Sequence, residues 1–246
     1  MLDVIDRPSP NWNTRAGGQT PDMVILHYTG MVSGEAALAR LCDPAAQVSC
    51  HYVIDRAGVI FRLVADELRA WHAGVSSWHG RTDINSSSLG IELVNPGHAH
   101  GYVDFTAPQM QALLSCLGGL CTRYRIASEN VLAHSDIAPD RKSDPGERFD
   151  WQRLSRAGFG LWVPPAPLQP GETLGTGHTG QDVMRLQGLL SGLGFSLDAS
   201  GVFDAKTERT VRAFQRHWRP LLIDGRADLS TLDTLSRLSA VMRKPR

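Results

Sequence analysis

Met23-Val24-Ile25-Leu26-His27-Tyr28-Thr29-Gly30 sets four apolar residues in a row and a histidine directly after them. A short, unbroken apolar run closed by turn residues is the pattern of a strand buried on both faces. The pattern returns in Leu89-Gly90-Ile91-Glu92-Leu93-Val94, apolar but for one glutamate, and in Val131-Leu132-Ala133, which leads into His134. A polar residue at the exit of a buried strand sits where open α/β sheets build their sites. Around these runs the signals alternate. Gly34 to Leu41 has helical spacing. His51 to Asp55 reads as a strand, Arg56-Ala57-Gly58 as a turn, and Val59 to Leu63 as the hairpin partner. Thr106, with Gln109 three residues on, caps a long apolar helix that ends near Tyr124. Residues 1–160 are therefore expected to form a mixed α/β domain, a central sheet flanked by helices.

After Trp162 the composition changes. Pro164, Pro165, Pro167 and Pro170 come first, then Gly171, Gly175, Gly177 and Gly180. Proline-rich and then glycine-rich sequence without apolar periodicity reads as an exposed linker, placed at 161–179. Beyond it, Val183, Leu186, Leu189 and Leu190 recur at helical spacing. Thr207, Val211 and Phe214 mark a second helix, and Leu229, Leu232, Leu235 and Leu238 a third. Residues 180–246 are expected to form a small all-α unit of three helices.

The 246 residues carry 25 basic and 25 acidic side chains, with 42% hydrophobic and 20% charged residues. That balance is a globular one and lacks the basic excess of a nucleic-acid binder. No apolar run approaches the roughly 20 residues of a membrane helix. Met1 to Pro10 holds Asp3, Asp6, Arg7 and two prolines, not a basic start followed by an apolar stretch. The expectation is a cytoplasmic protein, with the periplasm or cell envelope as the alternative if a leader has been lost. Cys42, Cys50, Cys116 and Cys121 form no Cys-x-x-Cys pair and are expected to be free, mostly buried thiols.

His27 and His134 share the same context, each at the end of a buried run, and Asp144 lies ten positions after His134. Two imidazoles and a carboxylate suit zinc, and three protein ligands leave a fourth position for water. The plainer reading of each histidine is a hydrogen-bonded core or edge residue. Glu92 puts a charge in a buried strand, which costs several kcal/mol unless the charge is paired or used. It is either half of an ion pair, with Arg62 or Arg81, or a proton carrier. Lys142, two residues before Asp144, is either a solvated cation or a partner for a developing oxyanion.

Several ordered segments together resemble the zinc-dependent N-acetylmuramoyl-L-alanine amidases of the AmpD and AmiD type, a superfamily that includes the peptidoglycan recognition proteins. They are Ile25 to Thr29, Val48 to Ile54, Ala70-Trp71-His72-Ala73-Gly74, Asn85 to Asn95, Leu132 to Pro139 and Lys142-Ser143-Asp144-Pro145-Gly146. The resemblance implies His27, His134 and Asp144 as zinc ligands, Glu92 as general base and acid, and Lys142 as the group that steadies the tetrahedral intermediate. The implied substrate is peptidoglycan or an anhydromuropeptide, cut between the muramyl lactyl group and L-alanine. Trp71, His72, Arg81 and Asn85 are the implied substrate contacts, Arg81 through a carboxylate. From Gly180 to Leu238 the elements Gly201-x-Phe203-Asp204-x-x-Thr207 and Phe214-Gln215 resemble a peptidoglycan-binding three-helix domain. Two rivals share the fold or the metal. One is a non-catalytic peptidoglycan sensor, which a missing zinc ligand would mark; the other is a zinc hydrolase of a different amide.

Overall fold

The computed structural model describes residues 4–243; residues 1–3, with the Asp3 of the N-terminal reading, and 244–246 lie outside the described residues. Eight strands are present among the described residues: β1 (Val4–Asp6), β2 (Trp12–Thr14), β3 (Met23–Tyr28), β4 (Tyr52–Ile54), β5 (Ile60–Arg62), β6 (Leu68–Ala70), β7 (Ser88–Leu93) and β8 (Val131–Ala133). The helices are α1 (Gly34–Cys42), α2 (Ile84–Ser87), α3 (Ala107–Tyr124), α4 (His134–Ile137), α5 (Trp151–Arg156), α6 (Gln181–Leu193), α7 (Ala205–Trp218) and α8 (Leu229–Met242). Six strands form one mixed sheet in the order β1-β5-β4-β7-β3-β8, and β2 pairs with β6 in a separate ribbon. Strands β4, β7, β3 and β8 run parallel, and the β4–β5 hairpin is antiparallel, as its turn sequence requires.

Successive side chains on a strand point to opposite faces, so β3 serves two cores. Val24 and Leu26 pack with Met110, Leu113, Leu117 and Leu120 of α3. Met23 and Ile25 belong to a different cluster with Leu132, Ile137 and residues of the C-terminal unit, among them Leu186, Leu190, Phe203 and Phe214. A third cluster sets Leu38 and Leu41 of α1 against Val53, Val64 and Val94. Helix α3 begins where the cap signal places it: the Thr106 hydroxyl accepts the Gln109 N–H at 3.3 Å, with Pro108 in the first turn. All four cysteines are free.

The C-terminal unit is all-α and closes against the sheet instead of standing apart from it. The stretch read as an exposed linker is mostly exposed but is pinned to that unit. Val163 and Ala166 are buried, the Ala166 N–H donates to Thr234, and Ser230 donates to the Ala166 carbonyl. Leu174 makes an antiparallel bridge to Ala227. The docked residues lie between and around the prolines and keep their own backbone N–H and carbonyl groups, which a reading of proline content does not reveal.

Candidate metal centre and active site

Three parallel neighbours bring the site together. His27 and Glu92 are each the fifth residue of their strand, and they stand opposite one another in the β3–β7 register. His134 follows β8 and opens α4. The carboxyl edge of β7, β3 and β8 therefore carries a row of polar groups, and the loop after α4 returns Asp144 to it. The Ser135 N–H bonds the Asp144 carbonyl at 3.0 Å and holds that loop in place.

His27 Nδ1, His134 Nδ1 and Asp144 Oδ2 converge. The two nitrogens are 2.9 Å apart, and the carboxylate oxygen lies 3.1 Å from His27 and 2.9 Å from His134. All three residues are buried, and among the described residues they are the one group of three or more able to hold a metal ion. Zinc bonds of about 2.0–2.1 Å in a tetrahedron set neighbouring ligand atoms about 3.3 Å apart, so the trio needs only a small expansion to take the ion. Hydrogen bonding fixes which nitrogens face inward. The Nε2 of His134 is 3.2 Å from the Ala73 carbonyl, an acceptor only, so Nε2 carries the proton and Nδ1 offers a lone pair. The Nε2 of His27 is 3.1 Å from His72 Nδ1, and His72 Nε2 is 3.3 Å from Ser88 Oγ, which itself donates to the Ile84 carbonyl at 2.6 Å. A single direction satisfies this chain: His27 donates to His72, His72 to Ser88, and Ser88 to the backbone. Both histidines thus present Nδ1 lone pairs to the same point as a carboxylate, an arrangement that a cation relieves.

Burial, with His134 beside it, holds the His27 imidazole down at about 4, so it is neutral at pH 7. Burial by itself would raise the Asp144 carboxyl, but His134 and His27 outweigh it and keep the group well below the usual carboxylate range. His72 is likewise pushed far down by burial and by His27 and His51. The His72 ring lies so close over β7 that a Cβ on Gly90 would stand 2.4 Å from its Cγ, which explains a glycine inside that strand. His51 is a supporting residue. Its Nδ1 accepts the Gly90 N–H at 2.9 Å, so Nε2 holds the proton and bonds the Leu68 carbonyl at 3.1 Å.

Glu92 has no ion-pair partner among the described residues. Arg62 pairs with Asp6 and Arg81 with Asp22, which removes the structural alternative for this charge. Its Oε2 is buried without a hydrogen-bond partner. Burial, reinforced by Asp144 and opposed by Lys142, raises its pKa well above the ordinary range. A carboxyl whose charged form is disfavoured in that way holds a proton more readily than a solvated one, as a group that takes up and passes on a proton must. Glu92, Lys142 and the three converging residues line one cleft of about 400 Å³, together with Trp71 and His72.

Two expected substrate contacts stand elsewhere. Arg81 is outside the cleft, its guanidinium held by both Asp22 oxygens at 2.7 Å. Asn85 is buried in α2, and its side-chain oxygen accepts the His72 N–H at 3.0 Å and the Ala73 N–H at 2.8 Å. It therefore shapes the loop that receives the outer N–H of both histidines. The sequence reading missed Arg40, Tyr28, Ser143 and Arg141, which also line the cleft. Arg141 ties the rim down through the Val75 carbonyl at 2.8 Å and the Ala73 carbonyl. Its position directly before Lys142 was the available signal.

Comparison with known proteins agrees with this geometry. Residues 17–147 match the N-acetylmuramoyl-L-alanine amidase family model, and residues 179–235 match the model of a peptidoglycan binding domain. The chain is 37% identical over 245 residues to N-acetylmuramoyl-L-alanine amidase AmiD of Escherichia coli, across 93% of this chain and 87% of the relative. It superposes on E. coli AmiD in complex with anhydro-N-acetylmuramic acid-L-Ala-D-γ-Glu-L-Lys with a TM-score of 0.77 and 34% identity, covering 93% of this chain and 92% of that one. AmpDh3 of Pseudomonas aeruginosa in complex with anhydromuramic pentapeptide gives a TM-score of 0.74 and 30% identity, covering 94% and 95%.

Proposed function

The chain belongs to the N-acetylmuramoyl-L-alanine amidase family, and we propose that it hydrolyses the amide bond between N-acetylmuramic acid, or its anhydro form, and L-alanine in the cleft of His27, Glu92, His134, Lys142 and Asp144. The observation that carries this reading is Glu92, its Oε2 buried without a partner, in one cleft with three convergent metal-binding groups. His27, His134 and Asp144 would hold zinc, since two neutral imidazole nitrogens and a carboxylate are its customary donors. Zinc in such a site supplies Lewis acidity, lowering the pKa of water toward about 7 and polarising a carbonyl oxygen.

The chain's own residues do the rest. Glu92 takes a proton from the attacking water and delivers it to the departing amine of L-alanine. Lys142 places a cation beside the oxyanion that develops on the lactyl carbonyl. His72 and Ala73 keep both imidazoles in the tautomer that leaves Nδ1 free. Trp71 and His72 line the substrate side of the cleft.

Mass spectrometry of products from a purified anhydromuropeptide tests the reading. Release of a free stem peptide beginning with L-alanine, abolished by a chelator and restored by zinc, is the expected result. No cleavage by zinc-loaded protein would overturn it. A second reading, an envelope enzyme acting on polymeric wall, is favoured by the wall-binding match of residues 179–235. Parallel digestion of intact sacculi separates the two. Among the described residues no helix is long and apolar enough to cross a membrane.

A further inference from the structure

His217 of α7 drew no functional reading from the sequence, yet it is among the most enclosed polar residues of the chain. Its Nδ1 lies 2.8 Å from Asp136 Oδ2, and the exposure of the two side chains is 1% and 0%. The same carboxylate oxygen accepts the Ala133 N–H at 2.8 Å. Ala133 is the residue before His134, and Asp136 sits in the short helix that His134 opens. The His217 ring stacks on Trp151 of α5 at 3.7 Å and on Trp218 at 3.6 Å, one indole on each side.

This pair is a poor device for stability alone. His217 Nε2 and Asp136 Oδ1 are both buried without partners, and apolar side chains of similar volume would pack the interface at less cost. What the pair does supply is direction. It fixes the strand-to-helix turn that aims His134, and it does so from the C-terminal unit. A second contact lies along the same helix: Arg209 meets Asp140 at 2.6 Å. Helix α7 therefore spans the segment from His134 toward Lys142 and Asp144.

We infer that α7 of the C-terminal unit braces the metal-binding loop, with His217 as a positioning residue that holds His134 through Asp136. The inference rests on the reading of His134 as a metal ligand. Removing the His217 N–H would leave the Asp136 carboxylate buried with one donor fewer. The turn would then rotate to hydrate it and carry the imidazole with it.

The test measures zinc affinity of the full chain by competition with a chromogenic chelator. His217→Phe keeps a ring between the indoles and removes the donor. It is expected to weaken zinc about tenfold, the lower end of what outer partners of a metal ligand cost, since His217 stands one contact further out. His217→Asn keeps an N–H where Nδ1 stood and is expected to recover most of that affinity. Phe195→Leu alters the same interface at Trp78, 5.2 Å between ring centroids, without touching Asp136. It is expected to lower the melting temperature while zinc affinity stays within about twofold of the parent. Parental affinity in folded His217→Phe overturns the inference, as does equal weakening by Phe195→Leu. If the parent itself binds no zinc, the metal reading fails, which is a separate outcome. Should His217→Phe not fold, hydrogen exchange of the unaltered protein decides. Zinc is expected to slow exchange in 205–218 more than in 181–193 or 229–242, because coupling between sites is reciprocal. Equal slowing in all three overturns the brace.

Discussion

Replacing Asn85 by leucine is the most informative single change at the site, because one oxygen there serves two backbone donors. The Asn85 carboxamide oxygen accepts the N–H groups of His72 and Ala73 at 3.0 and 2.8 Å. Leucine keeps its branched shape, with larger methyl groups, and accepts neither. Each buried N–H left unpaired costs about 1–3 kcal/mol, so the direct loss is about 2–6 kcal/mol. At about 2 °C or more per kcal/mol for a chain of this size, the melting midpoint of metal-free protein falls by at least about 4 °C. The loop can recover part of that loss only by turning those donors toward water. Such a movement displaces His72 Nδ1 and the Ala73 carbonyl, the two acceptors of the histidine Nε2–H groups. Losing an outer partner of a metal ligand costs about 10–100-fold in affinity. Asn85→Leu is therefore expected to lower both stability and zinc affinity, whereas Asn85→Asp, which keeps an acceptor oxygen, stays within about threefold of the parent in affinity. Differential scanning fluorimetry and chelator competition on the same samples read both quantities. Parental values of both in Asn85→Leu would refute the reasoning.

Glu92→Gln is expected to reduce kcat by about 10²–10⁴ with zinc content unchanged; full activity would remove Glu92 from proton transfer. His27→Ala should lose both zinc and activity, and an unaltered metal content by atomic absorption would contradict its place among the ligands. Burial, with Arg15 adding to it, holds His51 down at about 3 in the folded chain, against about 6.5 when unfolded. Between those values the unfolded chain binds more protons. Metal-free protein therefore loses stability as pH falls from about 6.5, on the order of 5 kcal/mol from this group by pH 3, and urea midpoints that stay flat from pH 7 to pH 5 would contradict this.

The parts of the molecule legible in the sequence are those set by local pattern. Met23 to Leu26 reads as a buried strand because both of its faces are covered, by α3 on one side and by a second apolar cluster on the other, whereas Leu89 to Val94 packs its leucines and Ile91 in the α3 cluster and sets Gly90 under the His72 ring. The Thr106 cap is legible because its partner is three residues away. His27 and His134 stood out because each ends a buried apolar run, although either alone reads more plainly as a hydrogen-bonded core or edge residue. Arg81 shows the limit. Its loop position suggested an open guanidinium, but Asp22, far off in sequence, claims it. Asn85 was legible as important and not as to its role, since its partners are backbone N–H groups that leave no trace in residue identity. The short strands β2 and β6 lack the length that makes alternation visible.

The segment 161–179 was the least legible feature, and its reading changes how the two halves of the chain are expected to work together. A flexible tether would raise the local concentration of wall around the cleft by an amount that depends on its length. In the structure Val163 and Ala166 are buried, and the C-terminal helices share a cluster with Met23 and Ile25 of the catalytic sheet. The relative position of the halves is then set by packing, not by the connecting chain. Inserting about ten Gly/Ser residues within the exposed stretch 167–170 separates the two views. Lengthening a loop to that extent costs only about 1 kcal/mol in closure entropy, far less than the shared core contributes, so the halves stay docked. Activity on sacculi and on soluble muropeptide should both remain within about twofold of the parent. A tether predicts a fall on sacculi alone, because effective concentration drops as the connecting chain lengthens past the span. A selective loss on the polymer would show that the packed arrangement opens during catalysis on the wall, and it would return the segment to the role of a linker.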